Sequence, residues 1–193
     1  MENRHNIFLS ASIPLENRDK EYFDTADVVA IRDAVIALSS YVIPTTTLIW
    51  GGHPSITPLI RAVLKKLDKN VHDHVILYQS EYFWAAFPEE NQEFEKVVFT
   101  SAKSSREESL KHMREEMFKN YFTAAVFIGG MDGVIDEYNM FSMAHPSALL
   151  LPLASTGGAA QKIYLNNRSK YNDRLIMDYT YSRLFRDFLQ DLI

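Results

Sequence analysis

The chain has 193 residues, 47% of them hydrophobic and 23% charged, enough for one domain with a sizeable core. A formal net charge of −5 and a pI near 5.7 give no global field that would draw nucleic acid or an anionic membrane surface. Cysteine is absent, which excludes disulfides, thiol catalysis and cysteine-ligated zinc, and no apolar run approaches the roughly 18–20 residues of a membrane span.

Residues 1–6 enter a strand pattern at once and do not read as a signal peptide, so a cytoplasmic protein is expected. Asn6-Ile7-Phe8-Leu9 followed by Ser10-Ala11-Ser12 predicts a first buried strand whose polar end opens onto a site. The polar stretch 13–23 reads as a loop over that edge and contains Arg18. A helix is expected from a cap at Asp24 or Thr25, with Val28, Ile31, Val35 and Leu38 on one face, ending near Tyr41 ahead of Pro44. Arg32 lies off that stripe, where it is either a solvated cation or a ligand contact. Residues 46–50 predict a second strand, followed by the turn Gly51-Gly52-His53-Pro54 and a helix with Ile56, Leu59, Ile60, Val63 and Leu64 on its apolar face.

Residues 75–78 predict a third strand, with Tyr82, Phe83, Trp84 and Phe87 beyond it as a lid or packing segment. A short extra strand is expected at 97–100. His72-Asp73-His74 resembles a metal pair only superficially, having no further carboxylates nearby; no resident metal and no cofactor are expected. Overlapping capping boxes at 104–108 start a helix marked by Leu110, Met113 and Met117.

The most informative stretch is 124–137: a buried strand, the turn Gly129-Gly130-Met131-Asp132-Gly133, and a helix that carries Glu137 about one turn in. Glycines let backbone approach a ligand closely, and a helix N-terminus offers free N–H groups to phosphate. Glu137 suits a ribose hydroxyl or, as a catalytic carboxylate, the positive charge that develops when a glycosidic bond is cleaved. The turn matches neither G-x-G-x-x-G nor G-x-x-x-x-G-K-[ST]. His145, ahead of Pro146, reads as a helix-end residue suited to a cation. A strand at 148–153 leads into Ser155-Thr156-Gly157-Gly158, the third strand–Gly-Gly–helix junction. From about residue 171 the chain closes with an amphipathic helix bearing Tyr181, Leu184, Phe185, Phe188, Leu189 and Leu192.

Strands alternating with helices predict an α/β fold: a Rossmann-like three-layer sandwich whose mainly parallel central sheet is flanked by helices, in one domain over 1–193. Ligands bind beyond the carboxyl ends of such strands. That rule makes Ser10, Ser12, Gly51, Gly52, His53, Gly129, Gly130, Asp132, Gly133, Glu137, Thr156, Gly157 and Gly158 the candidate ligand-binding set, to which Arg32 on the first helix is added as a candidate cation contact.

Residues 129–137 resemble the P-G-G-x-G-T-x-x-E turn of the Lonely Guy (LOG) phosphoribohydrolases. With Ser10-Ala11-Ser12 and Gly51-Gly52, the chain over about 6–165 is similar to the wider SLOG superfamily of Rossmann-like nucleotide-binding domains. The closing helix falls outside that resemblance. Ile128 stands for the proline of the motif, one residue is inserted between Gly130 and Gly133, and Val134 replaces its threonine. In LOG enzymes the terminal glutamate and an upstream arginine carry cleavage of an N-glycosidic bond. Glu137 matches that glutamate, whereas Arg106 and Arg114 are only nearby in sequence, without a recognisable LOG context. The sensor branch of the superfamily implies a ligand derived from NAD or ADP-ribose, in bacterial defence or stress systems. The expected partner is thus a small-molecule nucleotide, with no nucleic acid and no membrane, and helical surfaces available for a homodimer. The rival readings are a nucleotide N-glycosidase with Glu137 catalytic, and an interaction module with a vestigial pocket.

Overall fold

The computed structural model describes residues 5–18 and 20–193, so the signal-peptide expectation for the first residues falls largely outside the described part. Six strands form one sheet: β1 (Asn6–Ser12), β2 (Thr47–Trp50), β3 (Val75–Ser80), β4 (Lys96–Thr100), β5 (Ala124–Gly129) and β6 (Leu149–Leu153). Their order is β4-β3-β2-β1-β5-β6, and every pairing is parallel. Pro152 is accommodated because β6 is an edge strand.

Strand periodicity divides the core between the two faces. Ile7, Leu9, Leu48, Trp50, Ala124, Val126 and Ile128 belong to one apolar cluster, whereas Phe8, Ile49, Ala125 and Phe127 belong to the other. Helices α2 (Val28–Val42) and α3 (Thr57–Leu64) cover the first face, while α4 (Arg106–Met117) and α5 (Asp132–Ala144) cover the second. The α/β sandwich is therefore Rossmann-like. Strand order runs outward from β1 in both directions, so the topological switch point lies between β1 and β5.

Several elements differ from expectation. The polar stretch before residue 24 is not all loop: α1 (Lys20–Thr25) forms there and buries Tyr22. The cap of α2 is Asp27, whose side chain accepts the Ala30 N–H, rather than Asp24 or Thr25. After β6 come α6 (Gly158–Asn166), α7 (Arg174–Met177) and α8 (Tyr181–Leu189), so the closing helix begins ten residues later than 171. The apolar stripe of α8 is used inside the chain: Leu184, Phe185 and Leu189 are fully buried beside α2.

The aromatic segment after β3 packs away from the switch point. Trp84 and Phe87 lie 5.7 and 6.0 Å from the Phe99 ring on edge strand β4. His72 and His74 anchor backbone, meeting the carbonyls of Leu64 at 3.0 Å and Ile43 at 2.7 Å. His145 does cap α5, but its ring packs against Phe122 and Phe141, and burial pushes its pKa down. An imidazole packed edge-on and tilted against phenylalanine rings, its pKa lowered by burial, stands where a helix-end cation was expected. No helix among the described residues is long and apolar enough to cross a membrane.

Candidate functional site

A cleft of about 390 Å³ opens beside the switch point, within the size range of small-molecule sites. Its lining comes from the end of β1 (Ser12), the following loop (Arg18), the β2 turn (Gly51, Gly52, His53), α4 (Arg106, Glu107, Arg114) and the start of α5 (Asp132, Gly133, Asp136, Glu137). Chain segments far apart in sequence meet here because β2, β1 and β5 are adjacent in the sheet.

Glu137 is the most tightly held of these groups. Ser10 Oγ donates to its Oε2 at 2.5 Å, and Arg114 Nε donates to its Oε1 at 3.2 Å. The rest of the Arg114 guanidinium is also used: Nη1 meets Asp136 Oδ2 at 3.2 Å and Nη2 meets the Gly133 carbonyl at 3.1 Å. With only 8% of its side chain exposed, Arg114 binds three successive points of α5 and sets where Glu137 stands. Tyr22 donates to Asp132 Oδ1 at 2.7 Å, tying α1 to the first turn of α5. Gly51 leaves room in front of the carboxylate: a Cβ there would lie 3.8 Å from Glu137 Oε1 and 3.0 Å from Met113 Cε.

Part of the expected set lies behind this cleft. Gly129 and Gly130 have positive φ (57° and 81°), and the space a side chain would need is filled by Ile31 and Val134. Thr156 Oγ1 accepts the Gly129 N–H at 2.8 Å, and the Gly130 carbonyl accepts the Ala159 N–H at 2.9 Å. Thr156, Gly157 and Gly158 thus brace the glycine turn from behind instead of lining the cleft, because β6 lies on the far side of β5. Arg32 sits on α2, half exposed and paired with Asp33 at 2.9 Å, away from the cleft. Ser12, Gly51, Gly52, His53, Asp132, Gly133 and Glu137 do line it, and Ser10 reaches it through Glu137.

Arg114 was not singled out from sequence, although a signal existed. Leu110, Met113 and Met117 mark the apolar face of α4, and Arg114 falls on that same face, four residues from Leu110 and three from Met117. A guanidinium there must be buried, and buried charges are paired.

The SLOG cluster3 family model matches residues 21–189. The chain belongs to the SLOG cluster3 family. The match extends through α8, so the family unit includes the closing helix that the resemblance over 6–165 left out. A comparison with curated proteins returned no match. Membership makes this a nucleotide-related domain. In this SLOG domain the paired glutamate and arginine lie on α5 and α4, facing the end of β2.

Proposed function

We propose that the cleft binds a nucleotide or an NAD- or ADP-ribose-derived ligand, and that the chain serves as a sensor or signalling domain in a bacterial defence or stress system. The observation that carries this reading is the Ser10–Glu137–Arg114 arrangement at the mouth of the β1/β5 switch point. It holds one carboxylate in a fixed orientation in a cleft whose lining also brings together glycine backbone, Arg18 and Arg106, and the acidic side chains of Glu107, Asp132 and Asp136. An oriented carboxylate is the group that recognises paired ribose hydroxyls. Because both oxygens already have protein partners, Glu137 can accept a ribose O–H only through remaining lone pairs, which suits binding more than turnover.

A second reading has its own support. The pairing of Glu137 with an upstream arginine matches what the LOG resemblance implies for cleavage of an N-glycosidic bond. In that case Glu137 would stabilise an oxocarbenium-like transition state and Arg114 would hold it in place.

Thermal melting in the presence of ADP-ribose, NAD and AMP tests the first reading. A ligand at a hundredfold excess over Kd should stabilise by about 2.7 kcal/mol, a rise of several degrees for a chain of this size. No shift with any of the three would overturn nucleotide binding. Release of base or ribose phosphate from AMP by the wild type, lost in Glu137→Gln, would favour the enzyme; binding without release favours the sensor.

A further inference from the structure

Resting on the reading of the cleft as a nucleotide site, we infer that the phosphate end of the ligand binds at Arg18 and His53, and not at the glycine turn before α5. The observations come from two walls of the cleft. On the α5 wall stand the carboxylates of Asp132, Asp136 and Glu137; Arg114, which pairs with the last two, has Nε, Nη1 and Nη2 already committed to protein acceptors, and Asp132 accepts from Tyr22. Asp132 stands in the first turn of α5, where its charge counters the attraction of the helix N-terminus for an anion. Gly129 and Gly130 present no cradle, because their N–H groups already donate to Thr156 Oγ1 and to the Ser12 carbonyl, each at 2.8 Å. A phosphate placed there would meet three carboxylates. Ribose hydroxyls would be welcome there.

The wall formed by the β1 and β2 loops has the opposite character. Ile13 N–H donates to Ser55 Oγ at 3.2 Å, and Ser55 Oγ lies 2.8 Å from His53 Nδ1. The Ser55 N–H also donates to Nδ1, at 3.3 Å. A ring nitrogen that accepts from a backbone N–H carries no proton, so the neutral imidazole must carry its proton on Nε2. His53 therefore enters the cleft as a hydrogen-bond donor of fixed tautomer. Burial lowers the His53 pKa, and the charge of Arg18 lowers it further. Arg18 forms no ion pair among the described residues, unlike Arg106, which stands 3.7 Å from its neighbour Glu107. One uncommitted guanidinium beside one oriented N–H donor, on the wall formed by the β1 and β2 loops, is a site for a phosphoryl group.

AMP and adenosine differ only by that group, and titration calorimetry on the full chain separates the possibilities. Wild type should bind AMP at least about tenfold more tightly than adenosine, the effect of a charge-assisted contact. Arg18→Ala and His53→Asn should each remove most of that advantage while leaving adenosine affinity unchanged. Asn can still accept the Ser55 N–H but cannot supply a donor at the Nε2 position, whereas His53→Gln places an amide N–H near it and should restore part of the preference. A wild type that binds AMP and adenosine equally overturns the inference. So does a preference that survives in both Arg18→Ala and His53→Asn, and in either case nucleotide binding itself still stands. A wild type that binds neither compound, nor ADP-ribose, overturns the nucleotide reading and this one with it.

Discussion

Arg114 Nε stands 3.2 Å from Glu137 Oε1, joining residues 23 positions apart on two different helices. The pair lies where α4 and α5 both line the cleft beside the carboxyl ends of the central strands. It serves packing and site geometry together, since the same guanidinium holds Asp136 and the Gly133 carbonyl.

Removing Arg114 should therefore cost more than a surface charge. Arg114→Ala leaves Glu137 without its cation and the Gly133 carbonyl without its side-chain donor. Breaking a buried pair costs about 3–5 kcal/mol, and the lower end applies because Asp136 is solvent-exposed. Glu137→Gln, which keeps the shape and an acceptor for Nε, should cost clearly less. The double variant should be more stable than the sum of the two single losses, the signature of direct coupling. Urea unfolding of the four proteins measures this; strict additivity would show that the two groups are energetically independent.

Much of the architecture was legible because the strands are short apolar runs between helical stripes. Parallel order followed from the alternation, and both Gly51-Gly52 and Gly133 proved to face a common cleft. What was not legible is which strands are neighbours. With β6 beyond β5, the Thr156-Gly157-Gly158 junction lands behind the glycine turn, although its composition matches the junctions that face the cleft. Helix α1 escaped notice because six residues with a single buried side chain, Tyr22, carry no periodic signal. Arg114 was hidden for a different reason: its neighbours on the apolar face of α4 drew the reading to core packing.

The closing helix should prove indispensable to folding. Leu184, Phe185 and Leu189 are fully buried in the core beside α2. Phe185→Ala should destabilise by about 3–5 kcal/mol, and a chain ending at residue 170 should show no cooperative melting by circular dichroism. A truncated chain that melts cooperatively near the wild-type temperature would assign α8 to an interface instead of the core.

Acid should weaken the fold through two histidines. Burial, with Arg18 adding to it, lowers the His53 pKa, and burial lowers that of His145 against a smaller opposing pull from the Phe118 carbonyl. The unfolded chain thus takes up protons at these positions at a higher pH than the folded chain does. Their contribution is complete above the ordinary imidazole value of about 6.5 and declines as the pH falls below it. Unfolding free energy should drop between pH 7 and pH 5, and the drop should shrink in His53→Asn combined with His145→Gln. The depressed carboxylates, such as Glu93 and Asp173, act at lower pH and do not contribute in this window. An unchanged slope in the double variant would place the proton uptake elsewhere.

Two glycine substitutions should separate the cleft from its support. Gly157 has φ 71°, and a Cβ there would fall 1.8 Å from the Thr25 carbonyl oxygen, a backbone atom that cannot turn aside. Gly157→Ala should cost at least the roughly 1–2 kcal/mol of a left-handed residue, plus the displacement of α1 from the turn. Gly51 has no such φ, and the atom nearest a new Cβ is Met113 Cε, at 3.0 Å on the end of a flexible side chain. Gly51→Ala should therefore melt within a few degrees of wild type, yet the methyl group would stand in front of Glu137 and narrow the approach to its carboxylate. Loss of the ADP-ribose thermal shift in Gly51→Ala, with melting temperature retained, is the expected result. A Gly51→Ala protein that keeps the full ligand shift would show that the ligand does not pass between the β2 turn and α5.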